Sequence, residues 1–126
     1  MNTKAINNND ELVDIFSANL GWHKVRVKFF VSFICSLCKL QTVCFTKLAQ
    51  GFEGNAKVDS NLRRIQRFFA EFVIDNDMIA KLIYNLLPTK PPYRLCLDRT
   101  NWKFGTANIN FLVISIAHQG IAIPLL

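Results

Sequence analysis

Pro88-Thr89-Lys90-Pro91-Pro92 separates two stretches of chain that follow different periodicities. Proline fixes φ, lacks an N–H and pushes the residue before it out of the helical region, so no regular helix runs through this segment. Upstream of it, apolar residues recur at helical spacing. Downstream they alternate, or run in β-branched and aromatic strings. The contrast predicts an α+β chain with a helical region over 1–87, a Pro-rich linker over 88–92 and an antiparallel β-meander over 93–126.

Within the helical region, the Asn-rich first nine residues read as a loose end. Asn9 or Asp10 is a candidate cap for a short helix running through Asn19 and stopped by Gly21. From His23 to Leu40, Phe30, Phe33, Ile34 and Leu37 keep helical spacing, although the β-branched content of the stretch opposes it. A further helix is expected over Thr42 to Gln50, before Gly51. Ser60 reads as the cap of the next one, in which Leu62, Ile65, Phe69 and Phe72 form one stripe. Arg63, Arg64 and Arg67 take the opposite face, with Glu71 among them. Asp75 or Asp77 caps a last helix carrying Met78, Leu82, Ile83 and Leu86, closed by Pro88.

Beyond the linker, Tyr93 to Asp98 alternates into a strand. Asn108 to Ala117 is a second, His118-Gln119-Gly120 a turn, and Ile121 to Leu126 a third strand. No covering helix follows. The sheet is therefore expected to be incomplete, with an exposed face and edge, and to self-associate.

Half of the 126 residues are hydrophobic (51%) and 19% are charged, which excludes a disordered chain and supplies one core or two small ones. The net charge of +6 is unevenly placed. Residues 22–50 hold Lys24, Arg26, Lys28, Lys39 and Lys47 and no acid, and residues 88–126 hold Lys90, Arg94, Arg99 and Lys103 against Asp98. Such blocks attract nucleic-acid phosphates or anionic lipid, and they also occur on plain cationic domains. Phe29 to Cys38 is apolar but too short to span a bilayer, and the polar turn at His118 interrupts the other long apolar stretch. Cys35 and Cys38 form a C-x-x-C near Cys44 and His23. No second ligand pair follows, and cysteine in an apolar run behaves as a small hydrophobe. With no secretory signal, reduced thiols and a cytoplasmic location are expected.

Asp98 is the one acid after Asp77. At the end of an apolar strand it is costly unless paired, capped or metal-bound. An ion pair with Arg94 or Arg99, a turn cap and a ligand role all satisfy it. The run Leu97-Asp98-Arg99-Thr100-Asn101-Trp102, continuing through Phe104-Gly105 to Asn108-Ile109-Asn110 and the Gly120 hairpin, resembles the first catalytic strand of DDE transposases from bacterial insertion sequences. Ser60 to Phe69 resembles the segment that precedes that strand, and the likeness extends from about residue 20 onward. The Asp-Arg-Thr-Asn-Trp run is its specific part.

The resemblance implies an RNase H-like catalytic core that opens with a three-stranded antiparallel meander, here truncated. Asp98 matches the first catalytic, metal-binding acid. Arg63, Arg64 and Arg67 match the family's basic helix in type and position. The cofactor implied is Mg²⁺ or Mn²⁺, because paired divalent ions about 4 Å apart activate the attacking oxygen and stabilise the leaving one. One Asp cannot hold such a pair, so the chain alone is expected to be inactive. Its expected partner is double-stranded DNA at transposon ends, gripped by Lys24, Arg26, Lys28, Arg63, Arg64 and Arg67. Two other classes compete: a non-catalytic basic DNA-binding module or transposition inhibitor, and a membrane-surface protein using residues 22–40. Neither requires Asp98.

Overall fold

Helices come first and strands last in the computed structural model, which describes residues 8–126. Of the loose end expected over the first nine residues, 1–7 lie outside the described residues, and Asn8 and Asn9 belong instead to the first helix. The chain divides into two compact units, Met1–Ile74 and Asp75–Leu126. The division falls before the Pro-rich segment, so the last helix belongs with the strands.

The first unit contains α1 (Asn8–Leu20), α2 (Lys24–Leu40), α3 (Phe45–Gln50) and α4 (Val58–Glu71). Helix α1 already runs through Asn9 and Asp10, so neither is its cap; Asp10 and Glu11 instead place negative charge in its first turn. Gly21, at φ +60°, lets the chain leave α1 in a conformation that costs other residues more. The β-branched residues of α2 do not prevent a helix, because tertiary burial outweighs propensity. Val27, Phe29, Val31, Phe33 and Ser36 are all buried along it. His23 caps this helix, its Nδ1 accepting from the Val25 N–H at 3.4 Å. Gln41 ends it in the left-handed region, its N–H donating to the Leu37 carbonyl.

Helix α3 starts later than Thr42, with Cys44 at its N-cap. Thr42 Oγ1 accepts from the Cys44 N–H at 3.2 Å, which holds residues 42–44 in a turn. Helix α4 starts earlier than Ser60, with Lys57 at the N-cap position. The earlier start places Asn61 one turn in, where its N–H donates to the Lys57 carbonyl and its buried side chain donates to the Ala49 carbonyl at 3.4 Å. Asn61 thereby ties α4 to the end of α3.

The buried stripe of α4 is Asn61, Ile65 and Phe68, rotated from the expected one. Phe68 packs with Phe29, Phe33, Leu48, Ala49 and Ile65 in the core, and Trp22, Phe30 and Phe72 pack against that cluster. Phe69 is 47% exposed, although its ring lies 5.2 Å from Phe45 and 5.3 Å from Phe33.

The second unit contains α5 (Asn76–Asn85), β1 (Arg94–Phe104), β2 (Ala107–His118) and β3 (Ile121–Pro124). Asp75 caps α5 by accepting from the N–H groups of Asp77 at 2.9 Å and Met78 at 3.3 Å. The strands form one antiparallel sheet in the order β1-β2-β3. Gln119 and Gly120 both take positive φ in the β2–β3 turn, as a type I′ hairpin requires. Strand β1 is longer than expected. It runs through Asp98 to Phe104, because β2 supplies a partner at every step from Ala117 opposite Arg94 to Ala107 opposite Phe104. No helix among the described residues is long and apolar enough to cross a membrane.

Candidate nucleic-acid interface

The predicted basic residues separate into two groups once the helices pack. Arg26, near the start of α2, and Arg64 and Arg67, on α4, converge on one cavity of about 440 Å³. His23, Val25, Phe29, Phe68, Glu71 and Phe72 complete its lining. The spacing on α4 explains the convergence: Arg64, Arg67 and Glu71 are separated by three and four residues, so they share the face beside the buried Phe68. Lys24 and Lys28 on α2 and Arg63 on α4 are exposed and lie outside the cavity.

Aromatic rings hold two of the guanidiniums. The Arg26 guanidinium lies 4.2 Å from the centre of the Phe72 ring, and that of Arg64 lies 5.4 Å from the centre of Phe29. Each such contact is worth roughly 0.5–1 kcal/mol at an exposed site and restricts where the cation points. Trp22 supports Phe72 edge-on at 4.9 Å. Among the described residues the ion pair is Lys39–Glu53, so Arg26, Arg64 and Arg67 keep their charge available, with Glu71 the one acid in the lining. The first turn of α2 carries no acid. The partial positive charge of that helix end therefore adds to the arginines.

Hydropathy and charge patterning in the sequence reveal the arginines but not His23, Phe29 or Phe72 as their neighbours. Phe29 and Phe72 read as core stripe residues, and only the packing of α2 against α4 turns their rings toward cations.

Asp98 stands in the other unit, in the middle of β1 opposite Val113, and is exposed. It is neither at a strand end nor at a buried edge, and it makes no ion pair with Arg94 or Arg99 among the described residues. The Arg99 guanidinium donates instead to the Asn110 side-chain oxygen at 3.3 Å. On its face of the sheet Asp98 has Cys96 and Thr100 along its own strand and Val113 across from it. That set lacks a second carboxylate. No three His, Cys, Asp or Glu side chains among the described residues come together to hold a metal ion. The residues present therefore do not suffice for a divalent ion, which needs more oxygen ligands than one Asp supplies.

The cysteines are free. Cys35 and Cys38 lie on α2, and the Cys35 thiol donates to the Asn9 side-chain oxygen at 3.4 Å. Cys44 is exposed at the start of α3. The Lys47 backbone N–H, followed by smaller effects from Thr46 and the Lys47 charge, pulls its thiol pKa below the usual value against an opposing desolvation effect. The sulfur makes no full capping hydrogen bond.

No protein-family model matches the chain, and no curated protein or solved structure shows significant similarity to it.

Proposed function

We propose that this chain is the N-terminal part of a DDE transposase, with a helical unit that binds transposon-end DNA and a sheet that opens an RNase H-like catalytic core. The observation that carries the reading is the setting of Asp98. It sits midway along β1, within Asp98-Arg99-Thr100-Asn101-Trp102, in an antiparallel meander ordered β1-β2-β3. Exposed apolar side chains occupy both faces of that sheet: Leu95, Leu97 and Leu112 on one, Trp102, Phe104 and Phe111 on the other. A half-solvated antiparallel sheet alternates apolar and polar faces, whereas a sheet apolar on both sides is built to be covered on both. This pattern fits the central layer of a larger catalytic fold, with Asp98 as its first metal-binding acid and further acids supplied by protein outside this chain. Lys24, Arg26, Lys28, Arg63, Arg64 and Arg67 then serve the DNA.

A second reading, a non-catalytic DNA-binding module or transposition inhibitor, draws on the arginine cavity alone and gives Asp98 no task. Fusion of the chain to the downstream catalytic segment of a related insertion-sequence transposase separates the two. The fusion should nick transposon-end DNA with Mg²⁺ or Mn²⁺, the isolated chain should not, and Asp98→Asn should abolish nicking because the amide keeps the shape and loses the charge. A fully active Asp98→Asn fusion would make Asp98 a structural residue and remove the catalytic assignment.

A further inference from the structure

We propose that the cavity between α2 and α4 is a nucleotide site, which takes the phosphate and the planar base of an unpaired nucleotide rather than the backbone of a continuous duplex. The inference rests on the DNA-binding half of the proposed function and is independent of Asp98.

Shape is the first reason. At about 440 Å³ the cavity falls in the range of small-ligand pockets, roughly 300–1,000 Å³, whereas a duplex presents a convex rod of phosphates to the outside of a protein. Lys24, Lys28 and Arg63 lie outside the cleft and suit that rod, whereas Arg26, Arg64 and Arg67, equally exposed, surround one open hollow. Charge is the second reason. Arg26, Arg64 and Arg67 bring three guanidiniums to one recess that has a single lining acid, and guanidinium donors match phosphate oxygens in pairs. The start of α2, capped by His23, adds its own positive potential on the same side.

The third reason is the wall. Phe29, Phe68 and Phe72 line the cavity, and the Arg26 and Arg64 guanidiniums already lie over two of these rings. Flat cations on flat rings are the surfaces on which an unstacked base is held, at about 1–3 kcal/mol per base. Phe29 and Phe68 are core rings with little exposure, so the flat surface open to a base is the half-buried Phe72 ring with the Arg26 and Arg64 guanidinium planes, beside the charge that a phosphate needs. A nucleotide uses both. Unpaired nucleotides occur at strand ends and distorted junctions of DNA and also free in solution, and the shared chemistry is a phosphate carried next to an aromatic base.

The test is fluorescence anisotropy with the full chain and two labelled DNAs of equal length, a blunt duplex and one ending in a short single-stranded overhang. Adenosine monophosphate, ribose phosphate and inorganic phosphate serve as competitors. The overhang DNA should bind about tenfold more tightly than the blunt duplex. Adenosine monophosphate should erase that difference at concentrations where ribose phosphate and inorganic phosphate do not. Arg67→Gln, at an exposed position, and Phe72→Leu, which keeps apolar bulk and removes the ring, should each bring the ratio of the two affinities close to one. Lys24→Ala should weaken both DNAs alike and preserve the ratio. Competition by adenosine monophosphate without any overhang preference assigns the site to free nucleotides. Equal binding of both DNAs, with the three competitors indistinguishable, overturns the nucleotide site while leaving duplex binding in place. Binding to neither DNA refutes the DNA reading itself.

Discussion

Gly51 has a role that its neighbours make measurable. It follows α3 at φ −81°, a conformation open to any residue, so backbone strain gives no reason for glycine there. The reason is space. A Cβ at position 51 would lie 2.2 Å from Ser36 Oγ, 2.9 Å from Leu40 Cδ1 and 3.1 Å from Ser36 Cβ. Ser36 is fully buried, and its hydroxyl donates to the Leu48 carbonyl at 2.7 Å, so the oxygen cannot swing away without losing its partner. Replacing glycine with alanine removes freedom from the unfolded chain and on that account stabilises by about 0.4–1 kcal/mol. Overpacking a closed interior costs about 1–3 kcal/mol, and with an approach as short as 2.2 Å the steric cost wins. Gly51→Ala should therefore destabilise the helical unit by about 1–2 kcal/mol. Ser36→Ala should cost about 1 kcal/mol for the missing hydrogen bond, because the Leu48 carbonyl still accepts from the Gly51 N–H at 3.0 Å. The double variant removes the shortest conflict and keeps the longer two. It should be more stable than the sum of the single effects by about 1 kcal/mol. Urea unfolding followed by Trp22 fluorescence, in a Trp102→Phe background that silences the sheet unit, measures all four proteins. An alanine at position 51 that leaves the midpoint unchanged, or strict additivity in the cycle, would refute the packing described around Ser36.

Replacing Arg63, Arg64 and Arg67 together by Ala should weaken binding of duplex DNA that carries an unpaired end and flatten its salt dependence by about one unit of slope for each phosphate no longer neutralised. An unchanged slope in titrations across a range of salt would take α4 out of the interface. Cys44, with its thiol pKa lowered chiefly by the Lys47 backbone N–H, should react with a disulfide reagent at neutral pH faster than the exposed Cys38 and Cys96. Its rate should rise through a midpoint below that of an ordinary thiol, and a midpoint at the ordinary value would show that the start of α3 does not act on it.

The kind of element at each place is written into the residues locally. The three prolines at 88, 91 and 92 separate helix from strand, Gly21 and Gly51 mark helix ends, Asp75 caps α5, and Gln119-Gly120 turns β2 into β3. These are effects of φ preference, missing N–H groups and short side-chain caps, and neighbours in sequence suffice to read them. Which faces meet is set by packing instead. Phe68 and Phe69 are adjacent and equally apolar, so the wheel of α4 does not choose between them; the rings of Trp22, Phe29 and Phe30 on the other side of the fold choose Phe68. The same rotation aims Arg64 and Arg67 at Arg26 and leaves Arg63 outside the cavity. Likewise β1 runs past Asp98 because β2 pairs with it to Phe104, and that places Asp98 in mid-strand. Each outcome depends on a partner distant in sequence, and burial and strand pairing are properties of two surfaces together.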